Sequence, residues 1–263
     1  MHGAVLAALT DALVDERPSP VVLAAAQAIA EAVAAHAASF GATEEPPYHD
    51  QRHQAEATIA MGWLCDTARL QGLLTHEATI AGVLAMAGHD LLHDGSVPPA
   101  GLLEARSADV TVALGRQAGL DPATLAEIRR VILATDPARG QADKEADDLL
   151  CRLAQAADLF GSLTPDLGWQ LSQNLEREVR AAKRPPDPPF DSFRGRLRLL
   201  RPQRQVTPAG RRLGLGDAVA DQIAAMAMLG DGDADLGAAR LDALPGARAR
   251  TDYRAALAAA VTE

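Results

Sequence analysis

Residues 75–95 run THEATIAGVLAMAGHDLLHDG. Apolar and polar residues do not alternate here as a half-buried strand would require. The spacing predicts a helix from about Thr75 to His93. Thr75 lacks the Glu of a capping box but is still a good N-cap, and Asp94-Gly95, followed by Pro98-Pro99, stops the run. The same spacing recurs on both sides. Helices are expected over about 3–15, 20–39, 48–71, 101–118, 122–135, 143–163, 166–183, 211–229 and 249–261. Asp121-Pro122 supplies a cap followed by Pro at the first helical position. Residues 185–210 break the pattern, with Pro185, Pro186, Pro188 and Pro189 followed by a run of Arg. Gly230-Asp231-Gly232-Asp233 reads as a loop.

Composition points the same way. Of 263 residues 56 are Ala, the best helix former, whereas only eight are aromatic. The fold class expected is all-α. A 48% apolar chain of this length fills a substantial core, which excludes general disorder and a disulfide-stapled miniprotein. The net charge of −10 argues against duplex nucleic acid, which needs a basic face. Cys65 and Cys151 are far apart in apolar surroundings and read as buried thiols. Val21 to Ala38 is the most apolar stretch, but Gln27, Glu31 and His36 interrupt it, so it is not read as a membrane span. The N-terminus has no basic segment, and a cytoplasmic location is expected.

Chemistry concentrates in one region. All seven histidines stand at or before position 93, and two pairs, His49/His53 and His89/His93, are four apart. Residues at that spacing share a helix face. Asp90 follows His89, while Asp136 and Asp158 lie in apolar helical settings. A carboxylate on an apolar face is costly without compensation, and one metal compensates several together. Imidazole and carboxylate donors suit Zn, Fe, Mn or Mg rather than thiophilic metals.

His53, then His89-Asp90, then Asp158 resembles the H…HD…D signature of the HD-domain metal-dependent phosphohydrolases. Tyr48-His49-Asp50-Gln51-Arg52-His53 is similar to the Tyr-His-Asn-x-x-His segment of class I cyclic nucleotide phosphodiesterases. His89-Asp90-Leu91-Leu92-His93-Asp94-Gly95 is similar to their His-Asp-x-x-His-Pro-Gly, Ile132-Leu133-Ala134-Thr135-Asp136 to their apolar-Ala-Thr-Asp, and Ala157-Asp158-Leu159 to their Ala-Asp-(Leu/Ile). The resemblance covers roughly residues 45–165, in the family's order. It implies an HD-type helical bundle over 45–184. A helical extension (1–44) would precede it, and a Pro/Arg-rich segment with C-terminal helices (185–263) would follow. The extensions would form a homodimer contact or a lid.

The resemblance also implies roles. His53, His89, Asp90 and Asp158 would hold one divalent metal, and Asp90 would bridge to a second. His49 would protonate the leaving oxygen. His93 would contact waters of the second metal or a phosphate oxygen, Glu104 would match the Glu beside that metal, and Thr135 and Asp136 would hold waters around it. The substrate would be a small phosphorylated molecule. Two other readings carry weight: an HD-domain di-iron oxygenase, disfavoured because no His follows position 93, and a non-catalytic sensor, disfavoured by the full ligand set. The run Arg194, Arg196, Arg198, Arg201, Arg204, Arg211 and Arg212 reads first as a solvated basic segment that balances an acidic surface, or as a subunit contact, and second as a phosphate clamp. His2, His36 and His76 have no partner at useful spacing and are expected on the surface. The chain departs from the cyclic nucleotide enzymes in two places. Ala105, Arg106 and Ser107 stand where those enzymes carry a His pair, and the Gln/Phe clamp on the purine has no counterpart.

Overall fold

The computed structural model describes residues 1–13, 17–41, 45–136, 148–202 and 207–261. Among them the only regular structure longer than a turn is helical, so the chain is all-α. The helices are α1 (His2–Ala12), α2 (Pro20–Ser39), α3 (Gln51–Leu70), α4 (His76–Gly88), α5 (Leu102–Ala118), α6 (Pro122–Ala134) and α7 (Leu149–Asp158). They continue with α8 (Phe160–Leu163), α9 (Leu167–Ala181), α10 (Phe193–Leu200), α11 (Pro208–Arg212), α12 (Leu215–Met228), α13 (Ala234–Asp242) and α14 (Gly246–Ala260). Residues 14–15 of the first expected helix, 143–147 of the seventh, and Arg204 lie outside the described residues.

Side chains start many of these helices. Thr75 Oγ1 accepts the Ala78 N–H at 3.2 Å. Asp121 accepts from Ala123 and Thr124 ahead of Pro122, and Ser19 caps α2 ahead of Pro20. Such caps satisfy amide groups that the first helical turn leaves without partners.

The chain divides into two compact units, Met1–Phe160 with Thr207–Gly210, and Gly161–Val206 with Arg211–Glu263. In the first, α4 is the central element. Its residues from Thr79 to Gly88 are all buried, and α1, α2, α3, α5, α6 and α7 pack around it. Helix α2 is long and apolar enough by composition to cross a bilayer. Here it lays Val22, Ala25, Ala26, Ile29, Ala30 and Val33 inward, with α4 and α5 among its neighbours. Both α1 and α2 thus belong to the unit that carries the His/Asp motifs. Cys65 and Cys151 are buried free thiols, as expected.

In the second unit, α12 packs on α13 and α14, and α10 packs on α13. Its core holds a fully buried Arg196, whose guanidinium donates to the carbonyls of Ser162 and Thr164 and to Gln222 Oε1.

Several boundaries differ from expectation. The segment 185–210 is not uniformly irregular, because α10 and the start of α11 fall inside it. Helix α13 occupies part of the interval left without an element between 233 and 249. The helix expected over 211–229 is broken at Gly214, whose φ of 77° only Gly adopts without strain, and α12 starts after it. Helix α3 begins at Gln51 and α4 ends at Gly88, and both of these shifts bear on the site.

Candidate metal centre

The segment that enters α3 carries Tyr48 and His49. Asp50 caps the helix, its Oδ1 accepting from Arg52 and His53 at 2.9 Å each. His53 therefore lies in the first turn, where the cap fixes its backbone. His49 lies before the helix, not one helical turn along it from His53. At the end of α4, His89 Nδ1 donates to the carbonyl of Met86 at 2.8 Å. That oxygen is then taken up by a side chain, and the backbone passes into a tight turn in which the His93 N–H bonds Asp90 O at 2.9 Å. The expected helix thus stops five residues early, and the turn presents His89 and Asp90 together. Asp158 is the last residue of α7.

Three elements thus converge. His53 Nε2 stands 3.0 Å from Asp158 Oδ1 and 3.4 Å from Asp90 Oδ2. His89 Nε2 stands 3.3 Å and 3.2 Å from the same two oxygens. One donor atom from each of the four residues falls within 4.8 Å of all the others. With metal–nitrogen bonds of about 2.0–2.1 Å, neighbouring donors of one ion stand roughly 3.0–3.4 Å apart, so this spacing fits a single ion. The tautomer fits as well. The bond from His89 Nδ1 to Met86 leaves the Nε2 lone pair for the centre, as a carbonyl behind a ligating His does.

The charges of the group need compensation. Burial by itself lowers the pKa of both imidazoles. Their hydrogen bonds to, and the charges of, Asp158 and Asp90 outweigh it, raising His53 to about 9 and His89 well above its usual range. Burial by itself raises the two carboxyls, but the facing imidazoles hold Asp90 and Asp158 below the ordinary carboxylate range. Two ionised carboxylates against two imidazoles need two positive charges. Two protons supply them, and so does one divalent cation. These buried His and Asp residues can hold a metal ion.

The remaining predicted residues surround this group. His49 and His93 stack with ring centroids 3.6 Å apart and planes 18° apart. Tyr48 is buried with its ring against both His49 and His53. His93 Nδ1 accepts the Gly95 N–H at 3.2 Å. Glu104 has its pKa raised, first by burial and then by the charges of Asp136, Asp90 and Asp158, so its carboxyl faces an acidic neighbourhood. Asp136 is buried, and its Oδ2 lies 3.1 Å from where a Cβ on Gly101 would stand. Thr135 turns its hydroxyl to the carbonyl of Ile132 at 2.8 Å, which closes the end of α6.

Sequence reading missed the residues that hold the turn. Gln54 Nε2 donates to Asp90 O, Ser107 Oγ accepts from Leu92 N, and Thr111 Oγ1 donates to Gly88 O. Polar residues four apart on the inner face of α5 were a signal for Ser107 and Thr111. His36 is not the partnerless surface residue expected. It is half-buried, with Nε2 3.1 Å from His93 O. His2 is exposed and His76 half-buried.

The Arg run resolves into contacts within the second unit. Arg194 pairs with Asp242, Arg201 with Asp235, and Arg198 stands over the Phe190 ring and donates to Asp187 O. Arg196 is the buried hub described above, and Arg211 and Arg212 end α11. The exposed ion pairs of Arg194 and Arg201 fit the solvated segment expected, whereas the fully buried Arg196 does not. No protein-family model matches the chain, and neither does any curated protein.

Proposed function

We propose that this chain is a metal-dependent phosphohydrolase of the HD-domain type, acting on a small phosphorylated substrate. One observation carries the reading: His53, His89, Asp90 and Asp158 meet with their donor atoms within 4.8 Å, in the motif order of that superfamily. A divalent cation, one or two of Zn, Fe, Mn or Mg, would supply Lewis acidity to a phosphoryl oxygen and to a water.

The chain's own residues do the rest. His53 and His89 offer neutral Nε2 donors, His89 being held in that tautomer by Met86. Asp90 and Asp158 would balance the charge of the ion they hold, and Asp90 Oδ2 faces both imidazoles. His49, at the edge of the group and stacked on His93, gives a proton to the leaving oxygen. Glu104 and Asp136 add negative field on the α5 and α6 side, which favours cations and ordered water. No equivalent support exists for redox chemistry, because the histidines that a di-iron oxygenase needs after position 93 are missing from the sequence.

Elemental analysis of purified protein, followed by a screen of phosphomonoesters and phosphodiesters with added metals, tests the proposal. The expected result is bound metal and turnover that chelation abolishes and metal restores. A metal-loaded protein that cleaves no phosphoester overturns the hydrolase assignment.

A further inference from the structure

Gln54 follows His53 on α3 and is 3% exposed. Its Nε2 donates to the backbone oxygen of Asp90 at 2.7 Å. The same oxygen accepts the His93 N–H at 2.9 Å, so both of its lone pairs are used. One side chain therefore ties the helix carrying His53 to the turn carrying His89 and Asp90, across 36 positions of sequence. Ser107 and Thr111 hold the same turn from α5, but neither stands next to a ligand.

The other end of the amide is informative. Gln54 Oε1 is buried with no hydrogen-bond partner among the described residues. An unpaired buried acceptor costs stability, and an apolar side chain of the same shape would avoid that cost.

We infer that Gln54 is a positioning residue of the metal centre, which sets the distance between His53 and Asp90 by holding the Asp90 carbonyl. This rests on the metal-binding reading of the centre. Outer partners that orient metal ligands typically contribute 10- to 100-fold in metal affinity.

The test uses the full chain and Co2+, whose visible absorption reports its coordination. Gln54→Met keeps the length and removes the N–H. Gln54→Asn keeps the amide but is one methylene too short to reach. Each variant is compared with wild type by Co2+ titration, absorption spectrum and metal-free melting. For Gln54→Met the expected result is metal-free melting close to wild type, affinity roughly 10- to 100-fold weaker, and an altered spectrum. Gln54→Asn should lose affinity similarly and also melt lower, because it leaves a void. Wild-type affinity and spectrum in Gln54→Met overturn the inference. So does a lower metal-free melting point with an unchanged Co2+-induced increment, because that is the signature of a structural role. If Gln54→Met does not fold, the same comparison on Gln54→Asn decides. A wild-type chain that takes up no Co2+ overturns the metal reading itself, and the inference falls with it.

Discussion

His49 stands outside α3, yet its ring lies edge-on to that of His53, with centroids 5.7 Å apart, and stacks on His93. A leaving-group acid contributes about 100- to 10,000-fold to rate. His49→Gln should lower turnover by that order and leave metal content intact. The loss should shrink for a nitrophenyl ester, whose leaving group hardly needs a proton, and equal losses on activated and unactivated esters would remove His49 from the acid role. Asp90 is different, because its Oδ2 faces both imidazoles. Asp90→Ala should strip the metal and lower stability, since the remaining ligands stay buried without their counter-charge; unchanged metal content would count against it as a ligand. The histidines also set a pH window. His53 has its pKa raised from about 6.5 to about 9, so the stability it gives the metal-free protein is complete below 6.5 and lost as pH rises through 9. The carboxylates Asp90 and Asp158, held below their ordinary range, lose their contribution only as pH falls through those lowered values. Metal must displace the imidazole protons, so its affinity rises over the same window in which proton stabilisation fades. The rise in melting temperature on metal addition should therefore grow between pH 6.5 and 9. A flat increment would show that the imidazoles do not exchange protons for metal.

Helices α4 and α5 meet where the turn that carries His89 and Asp90 begins. A Cβ on Gly88 would lie 2.2 Å from Thr111 Oγ1 and 2.8 Å from its Cγ2. Gly88→Ala should therefore push the helices apart, cost about 1–3 kcal/mol as overpacked sites do, and weaken metal binding through the adjacent His89. Thermal melts with and without metal check both parts, and a variant indistinguishable from wild type would mean that the contact is slack. The same junction shows what the sequence made legible. The caps at Thr75 and Asp121 and the apolar run from Ile80 to Gly88 place α4 and α6 correctly, because they are local signals. The end of α4 is not local, since it depends on His89 turning its side chain onto Met86 O. The motif order brought His53, His89, Asp90 and Asp158 together correctly, whereas Gln54 and Ser107 act on backbone atoms of a turn that the pattern reads as helix. Helices α10 and α13 escaped for other reasons. The fully buried Arg196 disguises the inner face of α10 as polar, and the short α13 starts at Asp233, a cap embedded in a Gly/Asp run that reads as loop.

Across the whole molecule the eight aromatic residues bear on which substrates the proposed hydrolase would accept. Trp63 packs on Phe160, and Phe40 on His36. In the second unit Trp169, Phe193 and Tyr253 pack on one another, and Phe190 lies under Arg198. Tyr48 is in ring contact with His53, but it is only 5% exposed and already covered by His49 and His53. A purine needs a face to stack on and a polar group to read its edge. None of the four Phe residues has a Gln three positions before it, so the clamp used by the cyclic nucleotide enzymes has no counterpart in the sequence. Without hydrogen bonds to the base, a pocket discriminates poorly between analogues. Cyclic AMP and cyclic GMP should therefore be hydrolysed weakly, with little preference between them, and a smaller phosphoester should have the higher specificity constant. The comparison is kcat/KM for both cyclic nucleotides against a panel of generic monoesters and diesters, each with the metal that gives the most activity. Efficient turnover of one cyclic nucleotide, strongly preferred over the other, would mean that the base is read by contacts outside the aromatic set.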